Sequence, residues 1–332
     1  MPSPHLSVLL PARNAAATLP EALAGLLAQR GAPPYEVICV DDGSTDDTPA
    51  LLREAARRDA RLRLLRGRGE GLVAALQLGL ENCTSEWIAR MDADDRVHPD
   101  RLRLQSEALA SKPALGAVGS AVRLFPWPLS AGLFRFQEWL DATVTEEQCA
   151  LQRFVDAPLV HPSITFRRAA LEDVGGYRQS GWPEDWDLLL RLHEAGWQLA
   201  KVPEVLLWWR DSPGRLTRTH ADYSFEALRA LRAHYLARGP LAGRPCEIFG
   251  AGPTGKRLAR ALEERGVRVR RFIDVGAKVL ARGAPVVRPE ALGPPGDALL
   301  LVAVTAPGTR EPIRATLRAL GWVEGAHFLF AA

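Results

Sequence analysis

Apolar residues in the first third of this chain fall into short dense runs separated by stretches with a helical period. Residues 6–10 read as a buried strand, and 15–29 as a helix with Leu19, Leu23, Leu26 and Leu27 on one face. The alternation continues through a strand at 37–40, a helix at 48–58 with Pro49 in its first turn, a strand at 62–65, a helix at 71–81 and a strand at 87–91. This rhythm predicts a parallel sheet with right-handed crossovers, an α/β fold. Between 126 and 156 the pattern loosens, with Phe125, Trp127, Phe134, Phe136 and Trp139 in or beside the stretch. It returns as a strand at 163–166 and helices at 168–174 and 184–195. A Gly/Pro-rich segment at 239–245 reads as a boundary, after which strands are expected at 246–249, 269–273, 298–304 and 327–330 and helices at 253–265 and 310–320. The expected plan is one domain over 1–238, a linker at 239–243 and a smaller α/β domain over 244–332.

At 332 residues two domains are the default, and 47% hydrophobic with 24% charged residues describes a chain that folds. A net charge of +3 with dispersed basic residues gives no nucleic-acid face; the densest run, Arg57 to Arg68, reads as a solvated helix and strand. Cys39 and Cys246 lie in apolar strand runs and no Cys-x-x-Cys pair exists, so buried, reduced thiols are expected. No leader-like segment opens the chain and no apolar run reaches membrane-spanning length. The expectation is a cytoplasmic protein without an integral membrane segment, able to work peripherally at the membrane's inner face.

Three acidic clusters carry candidate chemistry. Asp92, Asp94 and Asp95 follow the apolar run ending at Ala89, and so much like charge at a strand end suits a hard divalent cation, Mg²⁺ or Mn²⁺, bridging carboxylates and substrate phosphates. The alternative is a solvated turn in which Asp95 or Asp100 caps the next helix. Asp41-Asp42-Gly43-Ser44-Thr45-Asp46 ends the second strand, where carboxylates are placed to meet a base or ribose and Ser44, Thr45 or Asp46 to cap the coming helix. Gly181-Trp182-Pro183-Glu184-Asp185-Trp186-Asp187 opens a helix. Its acids either complement the helix dipole or supply a general base whose pKa is raised between Trp182 and Trp186.

Taken in order, Pro11-Ala12-Arg13-Asn14, Val40 to Asp46, Gly71 to Leu76, Ile88 to Asp95, Pro99 to Leu102, His161 to Arg167, Gly175-Gly176-Tyr177 and Glu184 to Leu188 resemble the family 2 glycosyltransferases over residues 5–235. The resemblance implies a GT-A fold and inverting transfer of a sugar from a nucleotide-sugar, a UDP-sugar first, to a saccharide or lipid-linked acceptor in cell-envelope or exopolysaccharide synthesis. It places Asp42 on the base, with Pro11 and Arg13 on the loop bordering it. Asp92 falls on the ribose side and Asp94 on the metal, and Asp185 becomes the catalytic base. Glu184, Trp182, Arg218 and His220 are candidates for diphosphate or acceptor contacts. Many members carry a metal-binding histidine where this chain has Arg210-Asp211, and the QxxRW signature of processive synthases is absent.

In the tail, Gly250-Ala251-Gly252-Pro253-Thr254-Gly255 follows a strand and opens a helix, and Asp274 ends the next strand 19 residues after Gly255. This resembles a Rossmann module with a second nucleotide site on Gly250, Gly252, Gly255 and Asp274. The alternative gives the glycines only turn and helix-packing roles. Two rival functions stand beside the transferase. A nucleotidyltransferase would need a phosphate loop after the first strand that Pro11 to Asn14 does not supply. A nucleotide-sugar sensor with an inactive transferase half would not need Asp42, Asp92, Asp94 and Asp185 together.

Overall fold

The computed structural model describes residues 5–276 and 279–332. Its residues divide into two compact units, one of Met1–Ala150, Pro158–Ser180 and Glu184–Arg215, the other of Leu151–Ala157, Gly181–Pro183 and Leu216–Ala332.

The first unit opens with β1 (Leu6–Ala12), α1 (Leu19–Leu27), β2 (Tyr35–Asp41), α2 (Thr48–Arg58), β3 (Leu62–Arg66), α3 (Leu72–Asn82) and β4 (Trp87–Arg90). Then come β5 (Arg96–Val97), α4 (Arg101–Ser111), β6 (Leu115–Phe125), α5 (Ala131–Ala142) and α6 (Glu146–Gln152), whose last residues enter the second unit. A 3-10 turn (His161–Ser163), β7 (Thr165–Arg167), α7 (Arg168–Val174), α8 (Glu184–Glu194) and β8 (Gln198–Arg210) complete it. Its sheet runs β3-β2-β1-β4-β7-β6-β8-β5. The first four strands are parallel as the rhythm predicts, while β7 is antiparallel to both β4 and β6.

β1 is buried along its whole length, as a parallel strand covered on both faces should be. Its one polar member, Ser7, lies 2.8 Å from both Glu36 Oε1 and Ser85 Oγ. Leu6, Val8 and Leu10 join Leu19, Leu23 and Leu26 of α1 in the main core, each such side chain contributing about 1.5–3 kcal/mol. Helix α1 begins four residues later than the pattern predicts. The amides of Ala15 and Ala16 are taken instead by Thr48 Oγ1 (2.8 Å) and Asp46 Oδ2 (3.0 Å). All four cysteines are buried and free, and burial pushes the Cys39 thiol up to about 12.

A buried polar cluster fixes the strand reversal at β7. Arg101, fully buried on α4, donates from Nη2 to the carbonyls of Arg90 (2.7 Å) and Ile164 (3.3 Å) and from Nε to Gln105 Oε1 (3.0 Å). Gln105 Nε2 donates to the Ser163 and Val118 carbonyls, and Thr165 donates to Gln105 Oε1.

The second unit contains α9 (Leu216–Thr219), α10 (Phe225–Arg238), β9 (Cys246–Phe249), α11 (Pro253–Glu263), β10 (Val269–Ile273), β11 (Leu280–Ala281), β12 (Ala284–Val287), β13 (Leu299–Val302), α12 (Arg310–Ala319) and β14 (Phe328–Phe330). Its sheet runs β11-β12-β10-β9-β13-β14, parallel except for the β11–β12 hairpin. That hairpin turns through Arg282 (φ 51) and Gly283 (φ 79), the pair of positive angles a two-residue turn demands. The expected linker at 239–243 is an ordered turn with Leu241 buried and its amide on the Leu236 carbonyl. The division between units falls at Arg215, so α10 groups with the second sheet and packs on α11.

Replacing Arg101 by methionine fills the space but strands the Arg90 carbonyl and takes a donor from Gln105 Oε1, while the Ile164 carbonyl keeps the Arg90 amide. Unpaired buried groups of this kind should lower stability by about 3 kcal/mol. Thermal unfolding followed by circular dichroism should show a midpoint lower by roughly 10 °C.

Candidate active site

Arg13, Asp42, Asp92, Asp94 and Asp95 lie where the parallel strands of the first unit end. Asp92, Asp94 and Asp95 lie in the turn after β4, each offering an oxygen within 4.8 Å of the others. Asp92 pairs with the buried guanidinium of Arg90 (Oδ1 to Nη1, 2.5 Å). Asp94 is pushed up to about 6, by burial first and then by the Asp92 charge. Asp95 is held well above the ordinary carboxyl range by burial and by both neighbours. It accepts from the Arg210 amide at 2.7 Å through Oδ1, while Oδ2 is buried with no hydrogen-bond partner among the described residues. Asp95 therefore caps no helix, and Asp100, at the N-cap of α4, makes no side-chain cap bond. Three converging carboxylates, one with an orphaned buried oxygen, are a donor set that suits a hard divalent cation.

Arg210, at the end of β8, holds this turn from below. Its Nε donates to the Asp94 carbonyl (2.6 Å), its Nη2 reaches Glu21 (3.0 Å), and its guanidinium lies over the Phe125 ring at 4.6 Å. Arg96 binds the same Glu21 at 2.7 Å and also lies over Phe125, at 4.7 Å. Sequence reasoning grouped Asp95 with the candidate cation cluster but gave the metal to Asp94 alone, and it missed Arg210 as a support. The adjacency of Asp95 to Asp94 is a usable signal for a shared ligand role, whereas nothing local signals the support.

Asp42, 3% exposed just past β2, accepts from the amides of Gly69 (2.9 Å) and Gly71 (2.8 Å). Those two glycines sit at φ 79 and 100, a conformation other residues adopt at a penalty, which lets the chain wrap around the carboxylate. Arg13, half exposed, lies 3.5 Å from Asp42 Oδ2. Pro11 is not on the loop as expected but inside β1, opposite Val40. The alternation of bonds explains it. Leu9 accepts from Met91 on the β4 side and Ala12 from Asp42 on the β2 side, so the missing hydrogen of Pro11 faces the side that β4 has already left.

The N-cap of α2 is Asp47, which makes no side-chain cap bond, so none of Ser44, Thr45 and Asp46 holds that position. Asp46 Oδ1 accepts from the Thr48 amide that opens the helix. Ser44 Oγ accepts from the Asn14 amide, and the Thr45 amide donates to Asn14 Oδ1. Asn14 itself takes a positive φ of 49. These bonds latch the loop after β1 to the loop after β2.

Asp185, partly exposed in the first turn of α8, accepts from the Trp186 amide at 2.7 Å. Glu184 is buried (4% exposed), its Oε1 3.4 Å from His161 Nδ1. Trp186 is core at 1% exposed and forms no platform beside Asp185. The pattern of α8 accounts for this, since every residue from Trp186 to Leu192 is buried. Trp182, Arg218 and His220 belong to the second unit. There Trp182 meets the His234 ring at 5.3 Å, and His220 Nδ1 accepts from the Asp222 amide, an ordinary turn role. Arg218 lies on the exposed face of the short helix α9.

Asp274 turns both oxygens to backbone, accepting from Ala251 (2.6 Å) and Gly276 (2.7 Å). A Cβ on Gly255 would lie 1.9 Å from the Gly250 carbonyl, so this glycine is demanded by the strand-to-helix turn itself. Gly252 has open space where a Cβ would go, and Pro253 sits at the first position of α11 without an amide to offer.

Residues 7–175 match the model of glycosyl transferase family 2. The chain belongs to this family. Among its family 2 relatives, the putative glycosyltransferase EpsE of Bacillus subtilis is 28% identical over 234 residues, 67% of this chain and 79% of EpsE. The amylovoran biosynthesis glycosyltransferase AmsE of Erwinia amylovora is 31% identical over 176 residues, 52% of this chain and 63% of AmsE. The succinoglycan biosynthesis protein ExoO of Rhizobium meliloti is 43% identical over 107 residues, covering 31% of this chain and 29% of ExoO. Staphylococcus aureus TarS 1–349, solved with UDP-GlcNAc, superposes with a TM-score of 0.56 at 16% identity over 78% of this chain and 71% of that one. The mannosyltransferase PcManGT of Pyrobaculum calidifontis, solved with GDP-Man and Mn²⁺, gives 0.54 at 25% identity over 70% of this chain and 62% of that one. The family 2 fold is GT-A, and the second sheet fits a further α/β domain. No helix among the described residues is long and apolar enough to cross a membrane.

The raised carboxyl of Asp94 sets a pH dependence. In the cation-free fold the proton is held up to about pH 6, above its unfolded range, so this group's contribution to stability falls as pH rises through that window. A cation must displace the proton below pH 6 and meets a bare carboxylate above it. Mn²⁺ should therefore raise the unfolding midpoint more at pH 7.5 than at pH 5, and calorimetry in buffers of different ionisation heat should show more protons released on binding at pH 5 than at pH 7.5. Equal Mn²⁺ stabilisation at both pH values would remove Asp94 from the cation site.

Proposed function

We propose that this chain is an inverting glycosyltransferase that moves a sugar from a nucleoside-diphosphate sugar to an acceptor hydroxyl in exopolysaccharide or cell-envelope synthesis. The observation that carries this reading is the convergence of Asp92, Asp94 and Asp95 on one point, with a buried unpartnered oxygen on Asp95. Relatives named for succinoglycan and amylovoran synthesis support the product class, and PcManGT with GDP-Man and Mn²⁺ supports the donor and ion class. The donor is a UDP-sugar in this reading, and the acceptor a saccharide or lipid-linked saccharide.

Asp94 and Asp95 would hold Mg²⁺ or Mn²⁺, with Asp92 towards the ribose. When bound, the ion offsets charge that grows on the departing diphosphate. Asp42 and Arg13 line the base site. Asp42 is rigid there because Gly69 and Gly71 fix both its oxygens, each of which keeps a lone pair for a base or ribose donor. Asp185 takes the proton from the acceptor hydroxyl as it attacks the anomeric carbon from the face opposite the leaving group. A single displacement with one base inverts the centre.

In the second unit, the strand order β12-β10-β9-β13-β14 is the order of a doubly wound nucleotide fold, which supports a Rossmann-like reading. With Asp274 committed to backbone amides and Pro253 at the helix start, we assign Gly250, Gly255 and Asp274 to turn and packing roles rather than to a second nucleotide site.

Asp185→Asn keeps the shape and removes the base, so kcat should fall by about 10²–10⁴ with donor binding retained. Near-normal kcat in that variant would return Asp185 to a helix-dipole role. Asp94→Ala should abolish the Mn²⁺-dependent part of donor affinity, read by calorimetry with UDP- and GDP-sugars, because the diphosphate loses its bridging charge. Full Mn²⁺-dependent binding in Asp94→Ala would overturn the cation assignment.

A further inference from the structure

One cluster of buried titratable groups in the first unit is left without a task by this mechanism. Arg90 (3% exposed), His161 (5%), Tyr177 (5%) and Glu184 (4%) come from the end of β4, the 3-10 turn, the segment after α7 and the first residue of α8. His161 Nε2 lies 2.9 Å from the Tyr177 hydroxyl, their rings 5.4 Å apart, and His161 Nδ1 faces Glu184 Oε1 at 3.4 Å.

The proton positions in this cluster follow from its charges. Burial and the nearby Arg90 guanidinium keep the imidazole below its ordinary value despite Glu184, so His161 is neutral. Burial keeps the Tyr177 phenol protonated. A neutral imidazole has one donor and one acceptor. The phenol donates to Nε2, which leaves the Nδ1 hydrogen for the Glu184 carboxylate. Arg90 completes the set from the other side. It pairs with Asp92 at 2.5 Å, and its charge also acts on Glu184 and Tyr177. One buried cation thus pairs with a carboxylate of the acidic turn and acts electrostatically on a carboxylate at the start of α8.

An apolar cluster of the same volume would be no less stable than buried charges of this kind, which makes their placement informative. Glu184 immediately precedes the candidate base Asp185, and Arg90 stands two residues before Asp92. We infer that Arg90, His161, Tyr177 and Glu184 are positioning residues that hold the acidic turn and the candidate base in one fixed relation. Glu184 anchors the first turn of α8, and Arg90 ties that anchor to Asp92. This takes Glu184 out of the set that touches diphosphate or acceptor. The inference rests on the glycosyltransferase reading above for its effect on turnover, but not for its effect on the helix.

The test is made on the full chain with Glu184→Gln and Tyr177→Phe, both close in shape to the originals. In Glu184→Gln, kcat should fall about tenfold or more, with the donor KM and Mn²⁺ affinity within about twofold of the parent. Amide exchange at residues 184–188 should quicken by about tenfold while the rest of the chain keeps its protection. Tyr177→Phe should lower kcat in the same direction by about threefold, with donor KM unchanged. The inference is overturned if Glu184→Gln raises donor KM with kcat intact, since Glu184 would then touch the donor. It is overturned equally if exchange at 184–188 does not change, or rises together with exchange everywhere. A parent enzyme that transfers no sugar, combined with the local rise in exchange, would sink the transferase reading and leave the anchoring role standing.

Discussion

The guanidinium of Arg101 is the point on which the first unit turns. It is fully buried, burial pulls its pKa down to about 9 against the Asp95 charge with Arg90 pulling the same way as burial, and its hydrogen bonds go to two backbone carbonyls, Gln105 Oε1 and Met91 Sδ rather than to a carboxylate. Those carbonyls belong to Arg90, the last residue of β4, and to Ile164, just before β7. Two chain segments of opposite direction are therefore closed on one planar donor group. The acidic turn leaves from the first of them and the His161 turn runs into the second. A parallel sheet admits an antiparallel strand here because a side chain from α4 satisfies the backbone at the junction, with Gln105 and Thr165 extending the same pattern.

Around that junction the site is built by loops held to one another rather than by any single element. Asn14 meets Ser44 and Thr45, Thr48 and Asp46 reach back to Ala15 and Ala16, and Asp42 gathers Gly69 and Gly71. Loops following three neighbouring parallel strands are thereby tied in series. Rigidity of this kind lets a site present its polar groups in place before any ligand arrives, which is where much of binding and catalytic preference originates.

What the chain discloses by itself follows from how local each feature is. The helices at Thr48–Arg58 and Arg168–Val174 begin and end where their period and punctuation predict. The parallel strands up to β4 are legible because each is a short apolar run, and the acidic turn because three carboxylates in four residues need a reason. The rest depends on partners distant in sequence. Pro11 reads as loop until the early end of β4 is known, and α1 reads long until Thr48 and Asp46 are seen to take its first amides. Trp186 reads as a flank of the candidate base until α8 proves buried along most of its length. Strand β6 and the start of β8 escape notice because their pairing extends over many residues with register shifts, which no alternation pattern records. Arg210 shows in the sequence only as a departure from the family's histidine, since its supporting role lies in Asp94, Asp95 and Glu21, more than a hundred positions away.

The arrangement around Arg210 has an evolutionary consequence. Glu21 is shared by Arg210 and Arg96, and both arginines lie on the ring of Phe125. Four residues from four separate segments thus form one interlocked unit beneath the acidic turn. Exchange of any one member leaves an unmatched charge or a bare ring for the others to absorb. Substitutions here should be strongly epistatic: a residue imported from a related enzyme at position 210 will be tolerated only in company with changes at 21, 96 or 125. Histories of this site should therefore proceed by correlated replacement, and transplanting a single residue between relatives should mislead about its role in either one.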